Sequence, residues 1–413
     1  MLQSVLGLGA FVLLAWLISE NRAAVRLKTV AAGVGLQLAL GVLLLKTPGT
    51  TDLFLMLNQI ILAVETSTRA GTAMVFGYLG GGDRFPFAVT DPGATFLLAF
   101  QALPLVLVMS ALSALFFYWK ILPAVVRGFS WVLQKTAGLG GAEGVGLSAN
   151  IFVGMVESPL LIRPYLANMT RSEIFSIMTC GMATIAGTVM VLYASILGPV
   201  ISNVMGHILT ASIISVPAAI TIAKILVPET GQPTAGRLDP PQTADSAMDA
   251  ITKGTLQGIE LLINIVGMLI VLVALVNLVN LLLGFLPELR GAPLTLQRLL
   301  GLLMAPVVWL MGIPWDQAPT AGALMGTKTI LNELLAYLEM SGLPAGALDP
   351  KSLLIMTYAM CGFANPGSLG IMIGGLGTMA PERRPEIVSL GLRAIVAGTL
   401  ATCMTGAVVG LLM

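Results

Sequence analysis

Residues 174–223 read IFSIMTCGMATIAGTVMVLYASILGPVISNVMGHILTASIISVPAAITIA and contain no charged side chain. About twenty apolar residues cross a bilayer as an α-helix, so this stretch is long enough for two membrane spans. Gly198 and Pro199 supply a turn between the two spans. The stretch therefore predicts an integral membrane protein.

The composition of the whole chain agrees with this interpretation. Of its 413 residues, 56% are hydrophobic and 10% are charged, and the mean hydropathy is +0.93. A soluble domain carries roughly a quarter of charged residues, so the composition excludes a soluble enzyme. The net charge of +1 argues against a nucleic-acid partner, which requires a basic face.

The cysteines and the single histidine do not form a pattern typical of a disulfide framework, a zinc site or a proton relay. Cys180, Cys361 and Cys403 are scattered through apolar runs without C-x-x-C spacing, which indicates neither a disulfide framework nor a zinc site. His207 lies in the uncharged run. We interpret it as a hydrogen-bonded helix residue, because a proton relay would usually have an acidic companion nearby.

Hydropathy predicts an all-α polytopic membrane protein with eight transmembrane helices. The spans lie near residues 2–19, 29–45, 95–119, 174–197, 199–223, 259–286, 352–380 and 387–412. The first loop carries Arg22, Arg26 and Lys28, and loops rich in basic residues stay in the cytosol. Both termini are therefore predicted to lie outside, at the periplasmic face.

Three further apolar stretches contain too much charge, or are too short, to be spans. Residues 51–72, 121–138 and 294–312 are predicted to be amphipathic helices lying in the membrane interface. Residues 228–250 are rich in Pro, Thr and Asp and predict a cytosolic linker.

Two segments predict re-entrant helical hairpins. Residues 143–166 read EGVGLSANIFVGMVESPLLIRPYL, and residues 319–340 read PTAGALMGTKTILNELLAYLEM. Each is apolar at both ends and carries a central acid, Glu157 or Glu333. Each is too short to cross twice and too apolar for a solvated loop. Irregular backbone at membrane depth is tolerated only against protein or a water-filled cavity.

The spans after the two hairpins are related to each other. The pattern I-M-T-x-x-M begins at Ile177 and again at Ile355, 178 residues later, and the two acids are 176 residues apart. Each copy is followed by a helix-weakening stretch, ATIAGT at 183–188 and FANPGSLG at 363–370. The predicted topology gives the two units opposite directions. Inverted repeats with broken helices are typical of secondary transporters, which bind substrate where the repeats meet.

The second break suggests the chemistry of the substrate. Pro366 frees a backbone carbonyl, and Asn365 and Ser368 are placed to face the gap. Charge at the bilayer centre is costly, so Glu157 and Glu333 need a partner or water. Two carboxylates, an amide and a hydroxyl suit a neutral, hydroxyl-rich solute.

Each of these features also has a purely structural interpretation. Glu157 could form an ion pair with Arg163, and Glu333 with Lys328. Thr184 could bond only to its own helix. The N-P-G sequence could be no more than a packing kink.

Longer motifs carry a resemblance to a known family. NIFVGMVESPLLIRPY at 150–165, MTCGMATIAG at 178–187, NELLAY at 332–337 and CGFANPGSLGIMIGGL at 361–376 closely resemble the concentrative nucleoside transporters. GTAMVFGYLG at 71–80 also matches. The resemblance implies a bacterial inner-membrane homotrimer that imports nucleosides, driven by sodium or protons. It also implies a scaffold and a mobile transport part that moves like an elevator.

The resemblance assigns roles to particular positions. Glu333, Asn365 and Ser368 match residues that hold the ribose hydroxyls, and Asn332, which precedes Glu333 in the same motif, is also predicted to face the substrate. Glu157 matches the acid near the nucleobase, and Phe363 matches an aromatic wall. The implied sodium ligands are the side chains of Asn150 and Thr184 and the backbone carbonyls of Val153 and Ile185. Oxygen ligands suit a hard cation.

One position departs from the family pattern. Many members have Gln-Thr before the hairpin acid, whereas this chain has Met155-Val156. These side chains cannot supply the hydrogen bonds of Gln and Thr, and a site without polar groups discriminates less. We therefore expect an altered or broader base preference.

The prediction is a sodium-coupled nucleoside symporter rather than an enzyme. The alternatives are a proton-coupled symporter and a non-transporting membrane protein of the nucleoside-recognition or gate type.

The chain is predicted to be divided into six parts. They are the scaffold at 1–142, the first hairpin with spans four and five at 143–223, the linker at 224–256, the scaffold with span six at 257–315, the second hairpin with span seven at 316–386, and span eight at 387–413.

Overall fold

A computed structural model of the protein describes residues 2–47, 50–89, 95–234, 244–287 and 293–413. Those residues contain helices and no strands. The α-helices are, in chain order, α1 (Leu2–Leu17), α2 (Leu27–Lys46), α3 (Thr50–Phe76), α4 (Leu105–Tyr118), α5 (Ile121–Ala137), α6 (Gly141–Ala149), α7 (Glu157–Leu160), α8 (Arg171–Ala183), α9 (Gly187–Leu197), α10 (Val204–Leu226), α11 (Ala247–Leu283), α12 (Leu296–Leu310), α13 (Ala318–Ile330), α14 (Glu333–Ser341), α15 (Pro350–Met360), α16 (Pro366–Met379) and α17 (Arg384–Leu412).

Within the described residues, six helical stretches are long and apolar enough to cross a membrane. They are Leu27–Lys46, Leu98–Tyr118, Arg171–Leu197, Val204–Leu226, Ala247–Leu283 and Pro381–Leu412, and they coincide with six of the predicted spans. The predicted span 2–19 is the 16-residue helix α1, and the predicted span 352–380 is the pair α15 and α16. The all-α membrane class is confirmed, while the count of eight spans stays a prediction.

The three predicted interfacial segments are helical, as α3, α5 and α12. The last of them, α12, packs along α13 of the second predicted hairpin. Their position in the membrane interface stays a prediction. Part of the predicted linker, 235–243, lies outside the described residues, and α11 begins at Ala247, within the segment predicted as linker.

The core is formed by α8, α10 and α17, most of whose side chains are buried. Helices α1 and α2 pack on α17 and α10, whereas α4 packs along α11. Many apolar side chains of α11 are exposed, among them Ile263, Ile270 and Leu281. The boundaries of the predicted scaffold and transport parts stay predictions.

Two glycines, one after α15 and one in α17, allow close packing at the end of α8. A Cβ at Gly362 would lie 2.8 Å from the carbonyl oxygen of Met182, and a Cβ at Gly398 would collide with the Met182 side chain. Small residues let helix backbones approach each other closely. The end of α8 therefore packs directly against the break after α15.

A cluster of ion pairs ties three parts of the chain together at one end of the molecule. The Glu20 carboxylate accepts a hydrogen bond from Arg171 at 2.8 Å and also contacts Arg393. Glu386 lies 3.5 Å from Arg171 and 2.5 Å from Arg383. The predicted order of spans places Arg171 and Arg383 in loops on the same side of the membrane, and their contacts with Glu386 agree with that grouping.

Candidate functional site

Both predicted hairpins fold back on themselves. In the first, the Ser158 hydroxyl donates to the Gly146 carbonyl at 2.6 Å, which holds α7 against α6. In the second, the Thr327 hydroxyl donates to the Glu339 carboxylate at 2.9 Å, which joins α13 to α14. The structure thus contains two helical hairpins, and their entry into the membrane stays a prediction.

The two related spans are both broken where the sequence predicts weakness. Helix α8 ends at Ala183 and α9 begins at Gly187. Helix α15 ends at Met360 and α16 begins at Pro366, where proline suits the first helical position. The Asn365 side chain caps α16 by accepting a hydrogen bond from the Ser368 amide at 2.8 Å.

The Glu333 carboxylate lies at the start of α14 and is only 4% exposed. The Tyr193 hydroxyl donates to its Oε1 at 2.6 Å, and the Asn365 amide donates to its Oε2 at 3.3 Å. Asn332 caps α14 by accepting from the Leu335 amide at 2.9 Å. The helix N-terminus carries partial positive charge, so both the helix and its hydrogen bonds stabilise the buried acid.

All eight predicted substrate-binding residues line one cavity of about 160 Å³. They are Met155, Val156, Glu157, Asn332, Glu333, Phe363, Asn365 and Ser368. The two hairpins and the second break thus contribute to a shared space. The binding role of each residue stays a prediction, but the structure brings all of them together.

Neither proposed structural ion pair is present. Arg163 is exposed and forms no ion pair with Glu157. Lys328 is fully buried, and its Nζ lies 3.3 Å from the Thr402 hydroxyl rather than against Glu333. Both acids therefore remain open to the cavity.

Two polar residues of the cavity were not predicted from the sequence. Tyr193 of α9 reaches Glu333 across 140 positions of the chain, and Asn264 of α11 faces the same cavity. Asn264 carried a weak signal, because it is an amide inside the charge-free run 261–287. Tyr193 carried none, because a tyrosine in an apolar span is ordinary.

The four predicted sodium ligands come from two adjacent loops. The Thr184 hydroxyl donates to the Cys180 carbonyl of its own helix at 2.8 Å and lies 3.4 Å from the Asn150 carbonyl. The Gly187 amide donates to the Phe152 carbonyl at 3.1 Å. These contacts therefore hold the tip of the first hairpin against the break between α8 and α9.

These loops offer oxygen atoms to a cation. Asn150 and Thr184 are the C-caps of α6 and α8, and both are buried. Among the described residues, nothing donates a hydrogen bond to the carbonyls of Val153 and Ile185. Helix C-termini carry partial negative charge, and hard cations take oxygen ligands. The donor set fits a sodium ion.

His207 lies away from this cavity. Its Nδ1 is 2.9 Å from the Tyr358 hydroxyl, which agrees with a hydrogen-bonded helix residue. The three cysteines are free and buried.

Comparison with known protein families gives three matches along the chain. The description "Na+ dependent nucleoside transporter N-terminus" matches residues 6–79, and "Na+ dependent nucleoside transporter C-terminus" matches residues 207–410. Residues 99–200 match a family described as "Nucleoside recognition". The predicted gate-type alternative thus corresponds to one segment between two transporter segments.

Whole-chain relatives agree with these matches. The nucleoside permease NupC of Helicobacter pylori is 34% identical, over 99% of this chain and 97% of NupC. The structure of CNTnw in an inward-facing substrate-bound state is 34% identical with a TM-score of 0.91, over 99% of this chain and 97% of CNTnw. A CNTnw variant in an outward-facing state is 33% identical with a TM-score of 0.90, over 99% and 97%.

These similarities cover essentially the whole length of this chain and of each compared protein, so they confirm the resemblance found in the sequence motifs. They also identify the chain as a transporter rather than an enzyme. The chain belongs to the family of concentrative, Na+-dependent nucleoside transporters.

Proposed function

We propose that this protein imports nucleosides across a bacterial inner membrane together with sodium. The observation that carries the proposal is the cavity between the two repeats, where a buried carboxylate, Glu333, is held at a helix N-terminus by donors from both repeats. The membrane and the family fix the class of protein. The residues that line the cavity support a nucleoside as the substrate.

Glu333 is the proposed ribose anchor. A carboxylate offers about four lone-pair sites, and Tyr193 and Asn365 use two of them. The remaining sites can accept hydrogen bonds from sugar hydroxyls, and the Ser368 hydroxyl lines the same wall. The N-terminus of α14 is already balanced by Glu333 itself, which favours a neutral solute over an anionic one.

The opposite part of the cavity is proposed to hold the nucleobase. Met155 and Val156 give an apolar surface beside Glu157, and the half-buried Phe363 ring lines the same space. The Asn264 amide on α11 supplies one donor and one acceptor function there. Base recognition by Glu157 and Asn264, without the usual Gln-Thr pair, supports a preference that differs from that of other members.

Sodium is proposed to bind Asn150, Val153, Thr184 and Ile185. These ligands join the first hairpin to the first break, and the hairpin tip continues directly into Met155 and Glu157 of the cavity. An ion that fastens this tip also orders the cavity wall before the nucleoside arrives. By thermodynamic linkage, the nucleoside then strengthens sodium binding by the same factor.

Alternating access is proposed to follow an elevator movement in a homotrimer. The chain resembles both an inward-facing and an outward-facing structure of CNTnw, which supports movement between two such states. The exposed apolar side chains of α11 give a surface for lipid or for other copies of the chain. We propose α4 and α11 as scaffold and the two hairpins with their broken helices as the moving part.

Radiolabelled uptake into proteoliposomes tests the proposal. A panel of nucleosides is offered with an imposed sodium gradient or an imposed proton gradient. We expect uptake that requires sodium. Uptake without sodium that follows the pH gradient would establish the proton-coupled alternative, and binding without uptake would establish the non-transporting one.

A matched pair of variants tests the site. Glu333→Gln is expected to abolish uptake while the protein still inserts, because the amide loses the charge and half of the acceptor capacity. Glu339→Gln makes the same change on the same helix, at an exposed residue that does not line the cavity. It is expected to retain uptake, because the Gln carbonyl can still accept the hydrogen bond from Thr327. Equal uptake by both variants would remove Glu333 from ribose recognition.

A further inference from the structure

Lys328 is a buried cation that the transport cycle described above does not use. Its side chain is 0% exposed, and its Nζ has the Thr402 hydroxyl as a partner at 3.3 Å. No carboxylate of the described chain forms an ion pair with it. A buried charge without a counter-charge is strongly unfavourable, so a protonated Lys328 needs compensation from the polar groups around it.

The compensation comes from two helix ends. Lys328 lies in the last turn of α13. Its partner Thr402 lies beside the break that follows α15, because a Cβ at Gly362 would be 2.9 Å from the Thr402 methyl group. A helix C-terminus carries roughly half a negative charge. The ammonium therefore lies where the ends of α13 and α15 meet.

The first repeat has the corresponding arrangement without a lysine. There the hairpin helix α6 ends beside the broken helix α8, and their C-caps are Asn150 and Thr184. Neither helix has a basic residue in its last turn. Lys328 follows Asn150 by 178 residues, which equals the displacement of the two I-M-T-x-x-M patterns and differs by two from that of the hairpin acids. In the first repeat, the proposed cation at this junction of helix ends is a sodium ion from solution. In the second repeat, the corresponding junction contains the Lys328 side chain.

We propose that the Lys328 ammonium is a built-in cation, which takes in the second repeat the place that sodium takes in the first. This inference rests on the proposed sodium site at Asn150 and Thr184. Lys328 is a positioning residue, because it acts on the nucleoside through Glu333 and the ends of α13 and α15. It fastens the second hairpin to the second break permanently, so only the first hairpin responds to the ion.

Two substitutions of different size test the proposal. Lys328→Ala removes the charge and leaves space in which a small cation fits. Lys328→Met removes the charge and fills the space with apolar atoms. Both variants are expected to weaken nucleoside binding, by about tenfold or more, as for other lost charged contacts. With sodium kept at a saturating concentration for the first repeat, only the alanine variant is expected to recover when ammonium or methylammonium replaces choline at constant ionic strength.

A second measurement does not depend on nucleoside binding. The melting temperature of the purified alanine variant is expected to rise with these small cations more than that of the wild type or of the methionine variant. If the alanine variant is unstable, the recovery of monodisperse protein in ammonium and in choline gives the same comparison.

The outcomes separate this inference from the proposed function. Sodium-independent nucleoside binding by the wild type would refute the proposed function, while the melting comparison still decides the role of Lys328. The inference is overturned if Lys328→Ala keeps the wild-type affinity for nucleoside. It is also overturned if small cations change neither the nucleoside affinity nor the melting temperature of this variant. Recovery of both variants by the same salts also overturns it, because the methionine variant has no space for a cation.

Discussion

The Tyr193 hydroxyl is expected to set the affinity for nucleoside through Glu333. Tyr193→Phe removes only the donor of the 2.6 Å hydrogen bond and keeps the ring, whose centroid lies 5.2 Å from that of Tyr337. A hydrogen bond to a charged group contributes about 1.5–3 kcal/mol. Without it, the nucleoside must reorient the carboxylate on binding, and the Kd is expected to rise about ten- to a hundredfold.

Tyr337→Phe is the matched control. It removes a hydroxyl from the neighbouring ring, but that hydroxyl donates to the Thr357 carbonyl at 2.8 Å rather than to Glu333. It is expected to lower the melting temperature slightly and to leave the Kd near the wild-type value. The assay is equilibrium binding of a radiolabelled nucleoside to purified protein at saturating sodium.

A double-mutant cycle isolates the contact. In the Glu333→Gln background, Tyr193→Phe is expected to have little further effect, because the charged acceptor is already absent. A Tyr193→Phe variant that binds nucleoside as tightly as the Tyr337→Phe control would refute the reasoning.

Three further predictions concern the ion, the base and the charged cluster. Asn150→Ser is expected to raise the sodium concentration that gives half-maximal uptake, and an unchanged value would argue against Asn150 as a ligand. Asn264→Ala is expected to change the ratio of kcat/KM between purine and pyrimidine nucleosides by about tenfold, as for one lost hydrogen bond, and an unchanged ratio would exclude Asn264 from base recognition. The hydrogen bond from Arg171 holds the pKa of Glu20 below its usual value. The ionised Glu20 carboxylate therefore contributes fully to stability above the usual pKa, and this contribution is lost as the pH falls through the lowered pKa. Glu20→Gln should therefore lower the melting temperature at neutral pH and flatten its fall in acid.

Much of the fold followed from local patterns. The uncharged runs located most of the spans, because hydropathy acts over about twenty neighbouring residues. The central acids Glu157 and Glu333 and the weak stretches at 183–188 and 363–370 located the hairpins and the breaks. The structure places each of these features near its predicted position.

The contacts between distant elements did not follow from the sequence. The Tyr193–Glu333 hydrogen bond joins residues from opposite repeats, and no local pattern encodes such a pair. Asn332 and Asn365 were predicted to face substrate, yet both side chains also cap helices. Capping depends on where a helix begins, and that is fixed by the break rather than by the residue alone.

The contact of Gly362 and Gly398 with Met182 restricts how far the two breaks can separate or approach. Neither glycine position has space for even one added methyl group. We therefore expect larger or smaller bases to be accommodated from the side of the hairpin tip and α11. Diversification of selectivity should accordingly concentrate at Met155, Val156 and Asn264, while the proposed sugar and ion contacts stay constant.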